Sequence, residues 1–239
     1  MTKDEELDER GLKELPSDFF AESAEVVAKK LIGTFLIIDH EKAGRAGGRI
    51  VETEAYDQND PAAHCFGKDE RTKRKDADAM FLAGGHAYVF STYCLNFVCD
   101  DVGFGAGVLI RALKPLVGKN IIYARQIPWA GKNNSECHDD EWVCRGPQHL
   151  GIALGVGPKL NRKSLYQMPF QLSQRQQKPK LGCGPRVGMK EYFKKNPINI
   201  SEKRRNDAIE REWRFVDLDS LCYLSRKERE YRLTEISSS

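Results

Sequence analysis

Residues 49–57, RIVETEAYD, constrain this chain more than any other stretch, because they form a strand that ends by presenting a carboxylate beside an aromatic ring. Alternate residues of a pleated strand share a face. Ile50, Glu52, Glu54 and Tyr56 are therefore expected on one side, and Val51, Thr53 and Ala55 on the other. Two carboxylates next to a tyrosine are what hydrolysis of a bond to a flat ring requires: the carboxylate activates water and the ring stacks on the leaving group. The alternative is a solvated strand face.

A chain of 239 residues holds one ample core or two small ones. With 40% hydrophobic and 31% charged residues it has the composition of a soluble globular protein. No apolar run approaches a membrane span, and the start, MTKDEELDER, is acidic rather than signal-like. Seven cysteines, an odd number without framework spacing, read as reduced thiols in an intracellular protein. Net charge is only +3 but unevenly placed: from Trp142 through Lys190 there are nine Lys or Arg and no Asp or Glu. A second cluster joins Arg71, Lys73, Arg74 and Lys75. Such asymmetry suggests a phosphate-facing surface, with a solvated face as the alternative.

Residues 1–16 have the composition of a disordered acidic leader. Ser23 is placed to cap a helix in which Ala24, Val27, Ala28 and Leu31 recur at helical spacing, and Gly33 stops it. Residues 34–39 form an apolar strand, and the loop 41–47 leads into a second strand over 48–56 as a hairpin. Residues 61–79 are polar and irregular. Strands over 86–93, 95–99 and 107–113 precede a helix over 115–126 with proline near its start. Residues 147–154 form a short helix with Pro147 at N1 and Gly155 as its stop. Residues 156–190 are basic, Gln-rich loops, and 213–224 a late strand or pair of strands. The predicted fold class is α+β: a single compact mixed domain with a curved, mostly antiparallel sheet flanked by helices. The domain is expected over 17–224, with a charged insertion at about 189–212 and a polar tail over 225–239.

GRIVETEAY at 48–56, AAH at 62–64, AMF at 79–81, HAYVF at 86–90, CLN at 94–96 and VLIRALKPL at 108–116 follow one another in the chain. CRGPQHL at 144–150, PRVG at 185–188 and WRF at 213–215 continue the series. In that order they resemble the alkyladenine (3-methyladenine) DNA glycosylase family, over roughly residues 19–215, and a series of motifs is far more specific than any one. The resemblance implies a domain without metal or cofactor that removes alkylated or deaminated purines from double-stranded DNA, as a monomer. It gives Glu54 the part of general base for the attacking water, with Arg111 and a backbone carbonyl near Val187 holding that water. Tyr56 resembles the ring stacked on one face of the flipped base, and His64 with Phe90 the opposing wall, where the family more often has tyrosine in place of phenylalanine. Asn96 resembles a pocket asparagine that screens against guanine-like groups, and Arg74 a basic residue near the phosphates. His149 stands where the family commonly has lysine.

The chemistry agrees with these residue types. A carboxylate beside the anomeric carbon accepts the proton of the attacking water and favours an oxocarbenium-like sugar. The target atom is unreachable within a duplex, so the nucleotide has to be flipped into a pocket. No lysine sits in the strand of Glu54, which favours a water-using, monofunctional enzyme over a lyase. Several alternatives stand beside this reading. His64 is equally a hydrogen-bonded structural residue, and Tyr88 and Phe90 are core positions of an alternating strand. Arg111, inside the apolar run VLIRAL, needs a partner, and a purely structural pair with Glu54 would supply one. Cys137, His138, Cys144 and His149 can be drawn as a zinc site, although their spacing matches no closed finger, and no metal is expected. The turn between Val89 and Cys94 is shorter than the family's hairpin, whose tip carries a tyrosine wedge. Tyr93 is either that wedge or a tyrosine packed inward, and weaker flipping from intact duplex is expected. The rival function is a catalytically weak or inactive DNA- or RNA-binding protein on the same fold.

Overall fold

A computed structural model describes residues 11–68, 77–90, 93–129, 138–225 and 232–236. Its centre is β2 (Gly44–Asp57), a 14-residue strand long enough to serve three neighbours. β5 (Ala106–Val117) pairs along one edge of β2. The other edge is shared, by β1 (Phe35–His40) along the first half and β8 (Arg214–Asp217) at Glu52–Glu54. β3 (Ala87–Phe90) and β4 (Cys94–Val98) extend the sheet beyond β5. β6 (Phe170–Ser173) joins β1, while β7 (Leu181–Gly184) and β9 (Thr234–Glu235) extend it beyond β8. Among the described residues the strands form one nine-stranded antiparallel sheet that branches at β2 and does not close on itself.

Helix α1 (Ala24–Leu31) lays Ala24, Val27, Ala28 and Leu31 on this sheet, and Gly33, at φ +87°, turns the chain into β1. α2 (Lys119–Gln126), α3 (Asp140–Val143) and α4 (Pro147–Ala153) pack together against the β5 side. The helix expected from residue 115 starts later because β5 runs through Pro115. That proline faces Gly48 where the register skips Leu116, and a strand tolerates the missing N–H at such an irregularity. Gly118, at φ +64°, then makes the corner; a Cβ there would lie 2.0 Å from the Arg45 carbonyl oxygen.

The stretch 156–190, expected as loops, contains β6 and β7. Each is four residues long, and Leu181–Gly184 has two glycines, so pairing partners rather than local preference make it a strand. Only the first part of 213–224 is strand; residues Leu218–Tyr223 form 3-10 turns. The polar segment after residue 224 supplies β9, and at the N-terminal end Glu14 bridges to Ser173 with Leu15 buried. The charged insertion forms α5 (Met189–Lys195) and α6 (Glu202–Glu210), which bury Met189, Phe193 and Ala208 against Ala62. No helix among the described residues is long and apolar enough to cross a membrane. The six described cysteines are free thiols, and Cys137 lies outside the described residues.

Candidate active site

Two irregularities in the β2–β5 ladder build the site. Between Ile50 and Glu52 β2 carries one extra residue, Val51; between Glu52 and Thr53 β5 carries one, Arg111. A bulge re-aims the side chains around it. Ile50 consequently joins the main core with Ala55, while Val51 joins a separate cluster with Ala112, Val216 and Leu224. Thr53 turns toward α1, donating its hydroxyl to the Ala28 carbonyl at 3.0 Å. The simple alternation expected over residues 50–56 is thus broken at Val51: Ile50 lies opposite Glu54 and Tyr56, not beside them. The bulge on β5 brings Arg111 to the carboxylates of β2.

One cross-sheet row then collects much of the site. Tyr88 pairs with Asn96, Asn96 with Leu109, Leu109 with Glu54, and Glu54 with Arg214, across five adjacent strands. Paired positions in antiparallel strands project to the same face. Tyr88, Asn96 and Leu109 line a cavity of about 180 Å³. Tyr56, His64, Phe90 and Cys94 also line it, with Met80 from the turn before β3 and Met189 and Tyr192 from α5. The His64 and Phe90 rings lie against each other with centroids 3.8 Å apart and planes tilted by 40°, and His64 Nδ1 lies 3.2 Å from the Tyr88 hydroxyl. The Asn96 amide nitrogen donates to the carbonyls of Tyr88 and Cys94 at 3.3 and 3.2 Å.

Glu54 lies beside this cavity and is fully buried. Three donors converge on its carboxylate. The Tyr56 hydroxyl reaches Oε2 at 2.8 Å, Arg111 Nη1 reaches Oε2 at 3.4 Å, and the Val187 N–H reaches Oε1 at 2.7 Å. Val187 thus touches the carboxylate through its amide rather than its carbonyl, and Gly188 beside it, at φ +74°, opens α5. Burial, and then the neighbouring Glu54 charge, hold the Tyr56 phenol well above its ordinary pKa, so it remains a donor. Behind Glu54 the charges alternate: Glu52 Oε1 lies 3.3 Å from Arg111 Nε and 2.6 Å from Arg214 Nε. Both carboxylates are interior groups, so the solvated-face alternative does not describe this strand.

The other expected positions lie apart from the cavity lining. Tyr93 packs edge-on against Trp129, with centroids 5.9 Å apart. His149 sits 4.5 Å from the Trp142 ring, with Nδ1 3.3 Å from Gln126 Oε1. Arg74 and the cluster around it fall outside the described residues. The described residues contain no group of three metal-ligating side chains, and Cys144 is buried with its thiol pushed up by desolvation. The basic stretch is not one surface: Arg186 is buried and Arg162 pairs with Asp78. Sequence reasoning missed Met80, Cys94, Leu109, Met189, Tyr192, Asp60 and Arg214. Leu109 alternates with Arg111 in VLIRAL, and Met80, Cys94 and Arg214 fall within the motifs AMF, CLN and WRF; Met189, Tyr192 and Asp60 carried no sequence signal.

The ordered motifs have counterparts in known proteins. A methylpurine-DNA glycosylase family model matches residues 18–220. A protein of Nitrosospira multiformis is 39% identical over 178 residues, covering 73% of this chain and 83% of the relative. One of Rhizobium meliloti is 36% identical over 214 residues, covering 88% and 95%. Both bear the name "Putative 3-methyladenine DNA glycosylase". The chain belongs to the methylpurine-DNA glycosylase family, a family of DNA-repair glycosylases.

Proposed function

We propose that the protein is a monofunctional glycosylase that receives an alkylated or deaminated purine flipped from double-stranded DNA and hydrolyses its N-glycosidic bond. The observation that carries this reading is the buried Glu54 carboxylate, fixed by three donors at the edge of an aromatic cavity. A carboxylate has about four acceptor positions, so three donors leave one for water. Glu54 takes the water's proton as the oxygen bonds to the anomeric carbon. The C–N bond breaks, its electron pair leaves with the base, and an abasic site remains. Arg111 and the Val187 amide hold the carboxylate in place. Tyr56 on one side and the His64–Phe90 pair on the other receive the two faces of a purine, with Asn96 at the wall between them.

The short turn between Val89 and Cys94, which leaves Tyr93 edge-on against Trp129, supports a weaker grip on the gap left in intact duplex. The test is chromatography of the bases released from methylated duplex and single strands. Free methylpurine, with strand breakage only after alkaline treatment, supports the reading. Binding without any released base would favour a recognition protein that does no chemistry.

A further inference from the structure

Arg186, in PRVG, is 1% exposed, yet the reaction above gives it no task. Its guanidinium carbon lies 4.5 Å from the centroid of the Tyr56 ring. Nη1 donates to the Ala55 carbonyl at 2.9 Å and to Asp60, and Nη2 to the Ala208 carbonyl at 3.2 Å. Its Nε is buried without a hydrogen-bond partner. Tyr56 lines the cavity and Arg186 does not. Asp60, fully buried and holding the Ala62 N–H at 3.0 Å, balances the charge from the side of the guanidinium. The positive end of the pair is the end against the ring.

An aromatic face attracts one cation through its quadrupole, and a second cation on the opposite face meets a field already used and a like charge behind it. We propose that Arg186 is a specificity-determining residue that, through the Tyr56 ring, tilts the cavity away from cationic alkylpurines and toward neutral damaged purines. A base stacked at about 3.5 Å from Tyr56 stands roughly 8 Å from the guanidinium. At a dielectric constant of about 20, two unit charges at that distance repel by the equivalent of about 30-fold in an equilibrium. Asp60 offsets part of this, leaving an expected bias of about tenfold. A clamp that merely ties Ala55, Asp60 and Ala208 together would lower every substrate alike.

The inference rests on the purine-releasing activity proposed above. The experiment measures kcat/KM on duplexes carrying 7-methylguanine, a cationic base, or hypoxanthine, a neutral one. It compares the wild type with R186K, which keeps the ion pair but withdraws the charge from the ring, and with R186Q/D60N, which replaces the pair by two amides. The cationic-to-neutral ratio is expected to rise about tenfold in R186Q/D60N and about threefold in R186K, each checked by its melting profile. A ratio within twofold of the wild type in the folded variants, with both lesions falling together, overturns the inference and leaves the glycosylase reading intact. A wild type that releases neither base overturns that reading and this one with it.

Discussion

Replacing Glu52 by glutamine tests the charge balance behind the site without touching the cavity wall. Glu52 and Glu54 face Arg111 and Arg214 in the interior, so the four formal charges cancel. The amide keeps the shape of Glu52 and one acceptor oxygen, but it leaves an uncompensated positive charge where Glu52 is 0% exposed. Breaking a buried pair from one side costs about 3–5 kcal/mol. For a domain of this size that corresponds to a fall in Tm of about 6–20 °C. Urea unfolding followed by circular dichroism, with an unchanged m value, reads the loss directly. The companion variant E52Q/R214M restores neutrality and should lose less than the two single variants added together. A loss below about 1 kcal/mol for E52Q would refute the reasoning, because the cluster would then be solvated or its charges already unbalanced.

Tyr56→Phe keeps the stacking ring and deletes the 2.8 Å bond to Glu54. A bond to a charged acceptor contributes about 1.5–3 kcal/mol, so kcat should fall about 10- to 100-fold with KM little changed, as steady-state kinetics would report. Thiol labelling of the native protein should modify the half-buried Cys94 and Cys222 ahead of the buried Cys65, Cys99 and Cys144, as mass spectrometry of the labelled peptides would show. Burial pushes the Cys65 thiol from 9.0 up to about 12. The unfolded chain therefore loses that proton while the folded chain keeps it. Stability falls as pH rises through this window, and Cys65→Ala should make the decline in urea midpoint shallower. Gly118→Ala, at φ +64° and with a Cβ 2.0 Å from Arg45 O, should lower stability by about 1–3 kcal/mol in the same unfolding assay.

The helix of α1 and the strands β1 to β5 were legible because their apolar residues recur at the spacing of the elements they form. The site was legible where chemistry and pattern coincide: Glu54 and Tyr56 on one strand, and Arg111 as a charge in an apolar run. What the sequence could not carry was the pair of bulges. A one-residue insertion in each strand leaves composition unchanged, yet it sends Ile50 to the far side and brings Arg111 to the carboxylates. The short strands β6 and β7 were hidden for a related reason, since their partners supply the pairing that Leu181–Gly184 does not itself favour. Met189 and Tyr192 were out of reach because charged helices reveal their apolar side only once packed over Ala62. Arg186 looked like part of a basic stretch; only the fold shows it buried under Tyr56.

The central claim is that Glu54 acts on water beside a base held in the aromatic cavity. Glu54→Gln keeps the size of the side chain and an acceptor oxygen but removes the base, a contribution of about 10²–10⁴-fold. Single-turnover release of 7-methylguanine from duplex, measured alongside binding to the same oligonucleotide, tests the claim directly. Release should fall by at least about 100-fold while binding stays within a few-fold of the wild type. Release that continues at the wild-type rate in a folded E54Q would contradict it.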